Sequence, residues 1–173
     1  LNQINKNQKK EKKMLFKKAL QDTLLSIKYK NLKSIKEAIS VASNELIWTV
    51  DNGKFYNQNA DIGISYLSGN MHTELIGPKH GFFKSKELRL GLFFLERNIL
   101  YKDHKHAAPE LYLNLTGGTK WRFDCINWKE QFPGSIIYNH PFKSHAMKVG
   151  KIPFLSVWCW PYNSSKKCIL IEK

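Results

Sequence analysis

One stretch constrains this chain more than any other: Tyr101-Lys-Asp-His104-Lys-His106-Ala-Ala-Pro-Glu110-Leu-Tyr112-Leu-Asn-Leu-Thr-Gly117-Gly118. In a strand, side chains two residues apart project from one face, so His104 and His106 present their imidazoles together. After Pro109 the spacing repeats in Glu110 and Tyr112, while Leu111, Leu113 and Leu115 take the opposite face. Two neutral imidazoles and a carboxylate suit one borderline divalent ion: iron, manganese, zinc, nickel or cobalt. A fourth ligand has to come from elsewhere, and His145 in Pro141-Phe-Lys-Ser-His145-Ala-Met is the best candidate. Tyr112 then aims its phenol into the same pocket. A lone His-x-His pair reads as two surface histidines in a loop. The added carboxylate, glycine turn and distant Pro-x-x-x-His favour the metal.

These residues carry a resemblance. The spacing from His104 to Gly117 resembles the first cupin motif, and Pro133-Gly134 through His145 resembles a variant of the second. More narrowly, Tyr-x-x-His-x-His-Ala-Ala-x-Glu-Leu-Tyr-Leu, the later Pro-Gly and His-Ala-Met, and Trp158-Cys-Trp160 are similar to the bacterial cupin-type dimethylsulfoniopropionate (DMSP) lyases. The similarity covers roughly residues 75–162. Two positions depart from cupins at large: Asn98 stands where the first motif usually has Gly, and no Asn follows His145 at the usual place.

The resemblance implies a mainly β fold, a small cupin barrel or jelly roll, with an N-terminal helical segment. It also implies the zwitterion DMSP as substrate, cleaved to dimethyl sulfide and acrylate by β-elimination. A divalent cation holding the substrate carboxylate stabilises the enolate-like transition state, and a base must lie within reach of the proton. The family pattern has a catalytic tyrosine at the position of Tyr112, whose phenol a nearby cation acidifies. Packing inside the barrel and metal ligation remain open for the same residue. Aromatic faces attract the sulfonium end, and Tyr101, Trp121, Trp158 and Trp160 are the candidates, with Tyr101 and Trp158 preferred. For any single ring, plain core packing is the competing role.

At 173 residues the chain makes a single domain with a substantial core. Its first residue, Leu1, suggests that the natural N-terminus lies upstream. No apolar run reaches membrane-span length and no secretory signal is visible, so the expectation is a cytoplasmic protein without a membrane partner. Cys125, Cys159 and Cys168 lack metal-site spacing and read as free thiols. A net charge of +14 raises nucleic-acid or acidic-membrane binding. The lysines are scattered, however, rather than gathered into an arginine- and aromatic-rich reading surface, so no nucleic-acid partner is expected.

In chain order, residues 1–50 read as a helical segment and 51–173 as the barrel. A polar, lysine-rich opening over residues 1–13 leads to Leu15, Ala19, Thr23/Leu24 and Ile27 at helical spacing. A break at Tyr29–Asn31 precedes Ile35, Ala38, Ile39, Ala42 and Leu46. These faces pack on the barrel or on a second subunit, which leaves room for a homodimer. Asp51-Asn-Gly53 signals a turn. From there to Gly81 the pattern is weak, and His72 and His80 read as surface or loop residues. Leu88–Leu95 is a well-buried strand, Gly117-Gly118 and Pro133-Gly134 are turns, and Thr119, Trp121 and Phe123 alternate between them. Phe154, Ser156, Trp158 and Trp160 share one face of the last long strand. His140 stays outside the metal set.

Three other functions compete. An iron dioxygenase or metal-dependent isomerase fits the same ligands, but a dioxygenase needs no inward phenol. A ligand-binding cupin needs no base at all. A basic nucleic-acid binder requires steeply salt-sensitive association.

Overall fold

Apolar residues recurring every second position, punctuated by glycine and proline turns, build two packed sheets. The computed structural model describes residues 16–171; the lysine-rich opening and Leu15 lie outside the described residues. A first helix (α1) is described over 16–26, a short 3-10 turn spans Lys30–Leu32, and α2 (Lys33–Ala42) and α3 (Ile64–Gly69) follow. The strands are β1 (Asn70–Gly77), β2 (Phe83–Lys84), β3 (Arg89–Leu95), β4 (Leu100–Lys105), β5 (Glu110–Asn114), β6 (Thr119–Phe123), β7 (Lys129–Gln131), β8 (Ile136–Asn139), β9 (His145–Val149), β10 (Phe154–Trp160) and β11 (Ile169–Leu170). One sheet runs β2-β1-β3-β10-β5-β8 and the other β11-β4-β9-β6-β7. This is the mainly β, cupin-type architecture with helices ahead of it.

The two faces of the larger sheet serve different cores. Phe93 and Leu95 of β3, Tyr112 of β5, and Phe154 and Trp158 of β10 point inward. There they meet Trp121 of β6 and Met147 and Val149 of β9 from the opposing sheet. The alternate residues Leu92, Phe94 and Leu155 point outward and are covered by Leu20, Leu24, Ile27, Leu32 and Ile39 from the helical segment. Each such burial contributes about 1.5–3 kcal/mol. The helical stripe thus packs on the sheet of its own chain, and the near-continuous apolar run of β3 follows from burial on both sides. Among the described residues no helix is long and apolar enough to cross a membrane.

Turn chemistry appears where the residues call for it. Gly118 and Gly134 adopt φ of 76° and 87°, and Asn98, between β3 and β4, adopts 61°. Asparagine tolerates this left-handed region better than other side-chain-bearing residues, so Asn98 does the work of the glycine that cupins usually carry there.

The weak region after residue 51 holds α3 and the eight-residue strand β1. The register of β1 against β3 shifts between Glu74 and Ile76. Its burial therefore departs from strict alternation, which hid the strand from pattern reading.

Candidate metal centre and cavity

Pairing of β4 with β9 sets His104 directly opposite His145. The register of the same pair shifts between Tyr101 and His104. This irregularity turns both inward although they are three residues apart, and their rings stack with centroids 4.2 Å apart. His106 follows the end of β4, and Pro109 ends the short link before β5 brings in Glu110 and Tyr112 from the opposing sheet. The His145 ring lies 4.3 Å from that of His104 and 4.9 Å from that of His106. Ligating atoms of the three buried histidines all fall within 4.8 Å of one another.

Backbone carbonyls orient each ring. Nδ1 of His104 lies 2.7 Å from the Lys102 oxygen, that of His106 2.8 Å from Ala108, and that of His145 3.2 Å from Lys143. A carbonyl only accepts, so each Nδ1 carries a proton, and the Nε2 atoms are the ones turned toward the shared point. The His145 Nε2 is buried without a hydrogen-bond partner, a state that costs roughly 1–3 kcal/mol. Three imidazole nitrogens converging in a buried spot, that of His145 without a partner, fit a borderline divalent cation.

Glu110 lies against the histidines and is itself held firmly. Trp160 Nε1 donates to Oε1 at 2.6 Å, and Asn139 Nδ2 donates to Oε2 at 2.7 Å. Oε2 lies 3.3 Å from His106 Nε2 and 3.5 Å from His145 Nε2. Burial pushes the Glu110 carboxyl upward, but His106 and His145 outweigh it and hold the pKa well below the usual carboxylate range. Burial pulls His106 down, yet the charge and hydrogen bond of Glu110 leave its pKa raised. His104 is driven well down by burial and by the other two histidines, which keeps it neutral. Burial and the Glu110 charge push the Tyr112 phenol well up. Without a cation alongside, that hydroxyl is protonated.

A cavity opens beside this centre. Tyr101, Tyr112, Trp158 and Trp160 line it, together with Glu110. Trp121 does not: it is 1% exposed and packs behind Tyr112 at 5.1 Å. Tyr101 is sandwiched between Tyr66 at 4.3 Å and His104, so neither of its faces is free for a ligand. His72 was expected on the surface or in a loop. It sits in β1 on the cavity wall, with Nε2 3.0 Å from the Thr49 hydroxyl. His140 is exposed and outside the cluster. Sequence reasoning missed Asn139, Tyr56, Tyr66 and Asp51. The Tyr56 hydroxyl donates to Tyr101, and Asp51 and Tyr66 line the cavity. Nothing local marks them, because strand pairing and loop placement bring them in.

Comparison with solved structures agrees with the fold. The DMSP lyase DddQ from Ruegeria pomeroyi DSS-3 is similar at a TM-score of 0.69 and 20% identity, over 84% of this chain and 71% of that one. A structure described under the DMSP lyases RdDddP and RnDddQII gives 0.68 and 20%, over 83% and 71%. A cupin-like protein from Thermotoga maritima gives 0.51 and 10%, over 60% and 77%. No curated protein matches the chain. The sequence matches the dimethylsulfoniopropionate lyase family over residues 1–156, and the chain belongs to that family.

Proposed function

We propose that this protein is a metal-dependent DMSP lyase in which His104, His106, His145 and Glu110 hold the ion and Tyr112 is the base. The observation that carries the proposal is the convergence of three carbonyl-oriented imidazoles on one buried point, with Nε2 of His145 unpaired. Bound there, a divalent cation supplies Lewis acidity, drawing charge from the substrate carboxylate and lowering the pKa of the adjacent Tyr112 phenol.

The remaining work falls to the chain. Tyr112, as phenolate, takes a proton from the carbon next to the substrate carboxylate. The electron pair left behind forms the carbon–carbon double bond as the carbon–sulfur bond breaks. The sulfur keeps the bonding pair and leaves as neutral dimethyl sulfide, and acrylate remains. Tyr112 then returns its proton to solvent. Trp158, Trp160 and Tyr66 wall the cavity with aromatic surface, which excludes water and attracts the sulfonium without attacking it. Trp160 and Asn139 hold Glu110 in place.

The test is release of dimethyl sulfide into the headspace from purified, metal-loaded protein under argon. Turnover without oxygen is the expected result. Oxygen-dependent turnover of a different substrate, with none of DMSP, would assign the site to a dioxygenase.

A further inference from the structure

The cavity contains a second carboxylate that the chemistry above does not use. Asp51 is 3% exposed and lines the same cavity as Glu110. Its backbone is clamped by Asn70, which accepts from the Asp51 N–H at 2.7 Å and donates to the Asp51 carbonyl at 2.9 Å. Its side chain accepts from the Gly53 N–H at 3.0 Å and from the Tyr66 hydroxyl at 3.2 Å. None of the ion pairs among the described residues includes Asp51. Arg89 is engaged by Glu74 at 3.2 Å.

Position gives this carboxylate a use. Rings lie in sequence from His104 through Tyr101 to Tyr66, each stacked on the next, and Asp51 meets the hydroxyl of the last. Asp51 therefore stands two aromatic layers away from the imidazoles, at the other end of the same wall. A buried carboxylate without a counter-ion is costly unless something of opposite charge comes to it. Burial does push its pKa up, opposed by Tyr66 and by the N–H groups of Gly53, Phe55 and Lys54.

We infer that Asp51 is the counter-charge for the cationic end of the substrate, so that the cavity selects carboxylates carrying an onium group. The inference rests on the lyase reading for the identity of the substrate. Glu110 and the histidines belong to the anionic end, and Asp51, with the faces of Tyr66 and Trp158, belongs to the cationic end. Selectivity then comes from two opposite charges placed at a fixed separation.

The discriminating ligand is isocaproate, in which a carbon replaces the sulfonium of DMSP and little but the charge is lost. Calorimetry on metal-loaded protein carrying Tyr112→Phe measures both affinities without turnover. DMSP is expected to bind about tenfold more tightly than isocaproate. Asp51→Asn, which keeps the acceptor for Gly53, should lower that ratio several-fold, toward the part the aromatic faces contribute, while leaving isocaproate affinity unchanged. Equal affinities before the Asp51 change, or an equal loss for both ligands after it, would overturn the inference. If Asp51→Asn does not fold, Asp51→Ser, which also removes the charge, carries the same comparison, and an unchanged ratio there would overturn the inference. A wild type that releases no dimethyl sulfide, with a ratio that drops when Asp51 is replaced, refutes the lyase reading and keeps the role of Asp51. Turnover without the ratio does the opposite.

Discussion

Among single residues, Tyr112 carries the sharpest expectation. Replacing it with Phe removes one hydroxyl from a fully packed ring between Phe93, Trp121 and Phe154. Fold and metal content should survive, and dimethyl sulfide release should fall by a factor of about a hundred or more. Normal turnover would take Tyr112 out of the chemistry. His72 governs a different property. Burial, aided by the charges of Arg89 and His80, lowers its pKa from 6.5 to about 4. Unfolded chains take up that proton near pH 6.5, whereas the fold resists until about pH 4. The contribution of His72 to stability is therefore intact above the first value and lost as the pH falls toward the second. Urea unfolding at neutral pH and at about pH 4.5 should show His72→Gln losing about 2 kcal/mol less than the wild type. Parallel losses would clear His72. Legibility at this scale followed local pattern: His104, His106, Glu110 and Tyr112 could be paired by parity within one stretch, and distant His145 joined them from its Pro-x-x-x-His context. Asn139 and Asp51, by contrast, look like any polar residues until pairing and loop placement bring one to Glu110 and the other to the cavity wall.

At the scale of elements, the central strands β3 and β10 of the larger sheet separate cavity lining from support by their pleat. In β10, Phe154, Trp158 and Trp160 face the cavity side and Leu155 faces the helices. Leu155→Ala leaves a void in a layer where that residue is 0% exposed, at a cost of about 2–5 kcal/mol. Thermal unfolding should drop accordingly, while activity per folded molecule below the transition stays near wild type. A specific activity that fell with stability would show that the outer layer positions the site. Gly91 marks where this sheet is tightest, since a Cβ there would collide with the Thr73 carbonyl oxygen and come within 3.1 Å of the Trp158 indole nitrogen. Strands with unbroken alternation, such as β6 and β10, were legible in the sequence. The irregular register inside β1 and β4 was not, because a bulge resets the period on which the reading depends.

For the whole molecule, the centre joins two sheets through side chains from β4, β5 and β9 and the link after β4. An ion bound there ties these elements together and adds to folding free energy by mass action, about 2.7 kcal/mol when free metal is a hundred times its dissociation constant. Chelation should lower the unfolding temperature and stop dimethyl sulfide release, and readdition of metal should restore both. His106→Ala should abolish the metal-dependent shift, and full metal occupancy in that variant would refute the ligand set. What the sequence by itself determined was the class of fold and the three histidines that cluster in its interior. Periods of two residues, turn glycines and paired His-x-His and Glu-x-Tyr spacings are local properties that survive without coordinates. Only the tertiary structure decided that Trp160 and Asn139 hold Glu110, which aromatic faces stay open and where a second carboxylate stands. Those outcomes depend on strand register, bulges and the stacking of one sheet on the other, and contacts between residues far apart in the chain leave no periodic trace in it.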